Sequence, residues 1–178
     1  LHRRGFLTGI AGLFQALIGC FVVIPGARFV LDPLWSKRKT ARFLRVAPLS
    51  AVTATKPVRV TVHADRWDAF THHPPGAIGS VWLQRLNDQE GAPRVRCLHT
   101  TCPHLGCGID HAADRSRFFC PCHASDFDEN GKRLLGPAPR DMDDLPCRVT
   151  HPDDNGDRWI EVEYQDFQTG TPEQRAMV

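Results

Sequence analysis

The sequence predicts a mostly β head, an antiparallel sandwich or barrel, carried on one N-terminal transmembrane helix. Three observations point there. Residues 6–27 form a run of 22 residues without a charged side chain. Beyond residue 45, short apolar runs with two-residue alternation recur between turn-rich segments, the pattern of antiparallel strands. Two cysteine–histidine boxes, at residues 102–107 and 120–125, stand close together inside that β region.

The apolar run comes first. As a helix, its 22 residues extend about 33 Å, enough for a bilayer core of about 30 Å. Only Gln15 within it is strongly polar, and Pro25 and Gly26 are expected to end the helix. Leu17-Ile18-Gly19-Cys20 fits a lipoprotein cleavage site, but the run stays apolar through Ile24, so Cys20 reads as a packing residue. Ahead of the run, His2-Arg3-Arg4-Gly5-Phe6-Leu7 resembles the twin-arginine export signal, Arg-Arg-x-Phe-Leu, although two Arg before an apolar run also suit a generic anchor. Residues 1–27 are therefore expected to be signal and anchor, and 28–45 a basic linker or hinge.

Charge separates the two ends. Residues 1–45 hold eight Lys/Arg and one acid, net +7, and residues 46–178 hold 14 and 19, net −5. Arg28, Lys37, Arg38, Lys39, Arg42 and Arg45 follow the apolar run, and the positive-inside tendency alone would put them in the cytoplasm. An export signal puts them outside instead, against anionic headgroups or acidic partners. No nucleic-acid partner is expected.

The head is expected over 46–167. Pro57–Val62 alternates strictly and predicts a half-buried strand. Ser80–Leu86 predicts another, with a polar turn at 87–91. Arg94–Leu98 leads into the first box and Phe118-Phe119 into the second, and 128–132 predicts a turn. Trp159–Tyr164 predicts a last strand with Ile160, Val162 and Tyr164 on one face. Residues 168–178 read as a polar tail.

The boxes are Cys102-Pro103-His104-Leu105-Gly106-Cys107 and Cys120-Pro121-Cys122-His123-Ala124-Ser125. Six side chains could ligate a metal. A zinc ribbon needs four ligands in repeated Cys-x₂₋₄-Cys knuckles, which fits six candidates poorly. A haem c site needs two residues between its cysteines, and Cys120 and Cys122 have one. His63, His72, His73, His99, His111 and His151 match no ligand position and read as surface or hydrogen-bonded histidines. Cys97 and Cys147 flank the boxes, and sequence does not set whether they pair.

The pattern C-x-H-x-G-C followed by C-x-C-H-x-S resembles the Rieske proteins of quinol-oxidising cytochrome bc complexes. The resemblance implies one [2Fe–2S] cluster, with Cys102 and Cys120 on the inner iron and His104 and His123 on the outer one. It implies a disulfide between Cys107 and Cys122, a pair that soluble Rieske ferredoxins and ring-hydroxylating oxygenases normally lack. Gly136-Pro137-Ala138-Pro139 is similar to the family's cluster-covering loop, where proline stiffness suits a lid, though Gly-Pro also punctuates ordinary turns. The cluster-binding subdomain is expected at about 97–140.

The same resemblance implies the function. A membrane-anchored subunit takes one electron from quinol at the exposed histidines, His104 and His123, and passes it to a c-type cytochrome. A cytochrome b-type membrane subunit takes the second electron, so the chain is part of an enzyme that does not act alone. The implied place is the bacterial inner membrane, single-pass, with the head outside the cytoplasm. High-potential family members carry a Ser after the second box and a Tyr two residues on, both donors to sulfur. Here Ser125 is present and Phe127 replaces the Tyr, which implies a donor more reducing than ubiquinol, such as menaquinol. The alternative is the small Rieske subunit of an arsenite-oxidase-type molybdoenzyme, where no quinol docks; a structural zinc module is the non-redox alternative.

Overall fold

The computed structural model describes residues 3–35, 42–54, 56–68, 71–89 and 91–177. The chain divides into two compact units, Leu1–Thr40 and Ala41–Val178.

The first unit is one helix, α1, Arg3–Trp35. Its stretch Arg3–Leu31 is long and apolar enough to cross a membrane. The expected stop at Pro25 and Gly26 is corrected, because the helix passes both. Proline deletes one backbone donor, and Phe29-Val30-Leu31 beyond it are apolar again, so continuing the helix keeps the other backbone groups paired. The linker is corrected with it. Residues 28–35 are helical, and the first strand begins at Phe43. Residues 36–41, with Lys37, Arg38 and Lys39, lie outside the described residues. Arg45 belongs to the head: its Nε lies 3.5 Å from Glu161, and its guanidinium sits over Trp159.

Among the described residues, the second unit is an antiparallel β head of three sheets. The first sheet is ordered β1 (Phe43–Pro48), β10 (Trp159–Glu163), β9 (Cys147–Val149), joining the two ends of the unit. The second is the meander β2 (Val58–Asp68), β3 (Thr71–Gln89), β4 (Ala92–His99). The third is a four-stranded meander of β5 (Asp110–Ala112), β6 (Arg117–Cys120), β7 (Ser125–Phe127) and β8 (Arg133–Leu135).

Strand alternation makes the middle sheet a wall between two cores. On β3, Val81 and Leu83 enter a core with Val62, Ile160, Val162 and Phe167, while Trp82 enters a second core. On β4, Cys97 faces the first core and Leu98 the second. The second core gathers Ile109, Phe118, Phe127 and Met142 around Cys102 and Cys120, so the boxes grow out of a packed base. Trp82 ties wall to meander: its indole N–H donates to the Ile109 carbonyl at 3.1 Å, and its ring packs at a tilt of 57° against Phe118. Cys97 and Cys147 are free thiols, and Cys147 Sγ donates to the Val95 carbonyl at 3.1 Å.

The polar tail is also corrected. Residues 167–177 fold back on themselves and on the head. Phe167 is buried in the first core and bridges Ala176, and the Met177 N–H donates to the Asp166 carbonyl at 2.8 Å.

Candidate metal centre

Each box is a tight reversal set on paired backbone. In the first, Thr101 bridges Gly108, the Cys102 N–H donates to the Cys107 carbonyl at 2.7 Å, and the Gly106 N–H donates to the Cys102 carbonyl at 3.0 Å. In the second, Cys120 on β6 pairs with Ser125 on β7, which leaves Pro121–Ala124 as the turn. Ala124 takes a left-handed conformation, φ 53°, to close it. A disulfide joins Cys107 to Cys122, with Cα atoms 6.5 Å apart, and ties one loop to the other.

The remaining box residues sort by depth. Cys102 and Cys120 are buried among the aromatic side chains of the second core. Cys120 and the Ser125 hydroxyl are both close enough to perturb the Cys102 thiol. Burial pushes the Cys102 thiol up to about 11, against the backbone N–H of His104 and the Ser125 hydroxyl. A metal that binds Cys102 at neutral pH therefore displaces a proton. His104 and His123 stand at the outer end, with ring centroids 4.7 Å apart and planes at 88°. His123 is exposed and His104 half-buried.

One atom tests the fit to a metal group. His104 Nδ1 is buried and has no hydrogen-bond partner. An orphaned buried nitrogen is costly, and metal ligation would satisfy it. Two buried thiols below two imidazoles, one with a free inward lone pair, suit the Cys₂His₂ donor set of an unsymmetrical two-iron cluster. The sulfurs of Cys107, Cys120 and Cys122 also lie within 4.8 Å of one another. That trio is a weaker donor set, because the disulfide holds two of its members.

The loop Gly136–Pro139 lies against the second box. Gly136 has φ 94°, and a Cβ there would come within 2.5 Å of the Ala124 carbonyl oxygen and Ser125 Cα. Only glycine permits that approach. The Ala138 N–H donates to Ser125 Oγ at 3.1 Å, so Ser125 anchors the loop from below. Phe127 is fully buried opposite Phe118. His99, set aside as a ligand from sequence, is buried beside the first box. Its Nδ1 accepts the Thr101 N–H at 3.0 Å, and its Nε2 lies 3.3 Å from Asp166. Burial lowers its pKa, against the carboxylates of Asp166 and Asp143. Sequence reasoning missed Arg140, which pairs with Asp143 three residues on and donates to backbone carbonyls about 30 positions away.

Sulfur and imidazole donors paired between two cross-linked loops define a metal-centre domain of the all-β class. The Rieske [2Fe-2S] domain model matches residues 44–147, more than half of the chain, and the chain belongs to that family. It is 27% identical over 146 residues to the menaquinol:cytochrome c reductase iron-sulfur subunit of Bacillus subtilis (strain 168), covering 78% of this chain and 80% of that one. To the subunit of the same name from Geobacillus thermodenitrificans it is 29% identical, covering 77% and 79%. Identity to the cytochrome b6-f complex iron-sulfur subunit of Synechococcus elongatus is higher, 38%, but spans 41% of this chain and 39% of that one.

Proposed function

We propose that the chain is the membrane-anchored Rieske subunit of a quinol:cytochrome c oxidoreductase, with Cys102, His104, Cys120 and His123 holding one [2Fe–2S] cluster. The observation that carries the ligand set is the orphaned, buried Nδ1 of His104 beside the paired thiols. The likeness to two menaquinol:cytochrome c reductase subunits over about four fifths of their length supports the assembly. When bound, the cluster takes up and gives back one electron.

The chain's own residues supply the rest. Cys102 and Cys120 hold the group against the packed core, where Phe118 and Phe127 exclude water. The disulfide and the Gly136–Pro139 loop restrain the two boxes. With Nδ1 turned inward, Nε2 of His104 is the nitrogen left to accept a hydrogen bond from the quinol hydroxyl and to hold its proton; His123 is the second such ring. Exposed Leu105 borders them and offers an apolar contact to the quinol-binding subunit. In this reading a cytochrome b-type subunit takes the second electron, and the head hands its own to a c-type cytochrome. The segment at Arg3–Leu7 directs twin-arginine export, which carries folded cargo and places the head outside the cytoplasm.

Purification of the tagged chain from its native membrane tests the assembly. Haems b and c are expected to co-purify and quinol to reduce the complex. Recovery with a molybdenum subunit and no haem b would overturn the reading in favour of the arsenite-oxidase type.

Buried Phe127 bears on the donor. It packs in the same core as both cluster cysteines but brings no hydroxyl to them. A hydroxyl donating to a cysteine sulfur stabilises the reduced, more negative state. One net hydrogen bond of about 0.5–1.5 kcal/mol corresponds to about 20–65 mV for one electron. Phe127→Tyr is therefore expected to raise the midpoint by that amount, and Ser125→Ala to lower it. A titration in which loaded Phe127→Tyr keeps or lowers the midpoint contradicts the tuning role. The absent hydroxyl and the names of both relatives favour menaquinol.

A further inference from the structure

Arg140 directly follows the Gly136–Pro139 loop, and all five of its N–H donors are engaged. Nε and Nη2 form a fork on the two carboxylate oxygens of Asp143, at 2.8 Å each. Nη1 donates to the Thr171 carbonyl at 2.6 Å and to its hydroxyl at 3.2 Å, and Nη2 donates to the Gln168 carbonyl at 2.9 Å. The side chains of Arg140 and Asp143 are almost wholly buried, so each depends on the other. Held between residues 168 and 171, the Gly170 N–H donates to the Pro103 carbonyl at 2.8 Å. Pro103 lies between Cys102 and His104. A cavity is lined by His99, Cys102, Gly106, Asp166, Phe167 and Thr169, so it borders both the first box and the 167–177 segment.

We propose that residues 167–177 are a strap that positions the first cysteine–histidine loop, with Arg140 as the positioning residue that fastens it. The strap joins three elements far apart in sequence: the covering loop through Arg140, the first box through Gly170, and the first core through Phe167. Its geometry stands apart from the ligand set. The effect on the metal centre rests on the Rieske reading above. Gly170 takes φ 73°, so the turn that aims its N–H requires glycine. The first box carries one inner and one outer ligand in that reading. Release of Pro103 lets that loop drift and admits water beside Cys102.

Three variants of the full-length, detergent-extracted, cluster-loaded protein test this. Arg140→Gln removes the fastening. Gly170→Pro removes the one N–H that reaches Pro103 and, because proline cannot take φ 73°, also breaks the 168–171 turn, while residues 140 and 143 and the net charge stay as they were. Hydrogen exchange is read at the amides of Cys102 and Gly106, with β10 as an internal reference. Both variants are expected to raise loop exchange by about tenfold or more, with β10 unchanged. The midpoint of the centre is expected to rise in Gly170→Pro, because water beside Cys102 favours the more negative reduced state. Arg140→Lys keeps the charge without the fork and is expected to fall between wild type and Arg140→Gln. Loop exchange equal to wild type, once the amides of 168–171 have become fast, overturns the proposal. If Arg140→Gln does not fold, Gly170→Pro decides by the same criterion. A wild-type protein without a Rieske EPR signal overturns the cluster reading and leaves the exchange test intact.

Discussion

Replacing His104 or His123 by Ala is expected to abolish the EPR signal of the reduced centre. In the proposed ligand set each ring would supply one of the two nitrogen donors to a single iron, and no spare donor stands close by among the described residues. The nearest sulfurs at that end belong to the Cys107–Cys122 disulfide, which cannot ligate as a thiolate while it is formed. His99 is three residues from Cys102, but its Nδ1 is already engaged by the Thr101 N–H. The head itself is expected to stay folded in His123→Ala, because His123 is exposed and packs in neither core. Circular dichroism establishes the fold and EPR reads the centre. A normal Rieske signal from either folded variant contradicts the ligand assignment.

Removing the disulfide, with Cys107→Ser and Cys122→Ser together, is expected to destabilise the head by about 2–4 kcal/mol. The two cysteines are 15 residues apart, so the bridge closes a short loop of the unfolded chain. It is also the covalent tie between the boxes. β5 and β6 connect the loops through sheet pairing at their bases, while the tips meet at the bridge. Loss of the bridge therefore frees the outer histidines more than the buried cysteines. Urea unfolding of wild type and variant measures the difference. Non-reducing peptide mapping checks the premise, and free thiols at both positions in protein from the native membrane contradict it.

The parts of this molecule that sequence made legible are those governed by local rules. Strict alternation located β2 and β10, and the boxes located the site. The disulfide was implied by family likeness and is formed in the structure. The short strands β5, β7 and β8 are three residues each, too brief for a period of two to show. The first half of β3 carries Pro74, Pro75 and Gly76, which interrupt any two-residue alternation; that half nevertheless pairs with β2 as far as Asp68, with register shifts on the way. The helix outran Pro25 because one lost hydrogen bond is a small interruption in an apolar helix. The strap was hidden for a tertiary reason. Its residues are polar, and their order comes from a buried guanidinium that follows the covering loop in the chain.

The pairing of β1 with β10 has a consequence for how the head comes together. Phe43 meets Glu163 across a separation of 120 residues, whereas the meander β5–β8 closes over turns of a few residues. Ring-closure entropy makes the first pairing slow and the second fast. The meander that carries the second box is thus expected to gain its shape while the flanking strands are still apart, with the base zipping shut last. On that order, assembly of the inorganic centre meets a chain whose pocket precedes its foundation. The closing of β1 on β10 then serves as the latch that turns a hairpin array into a finished head.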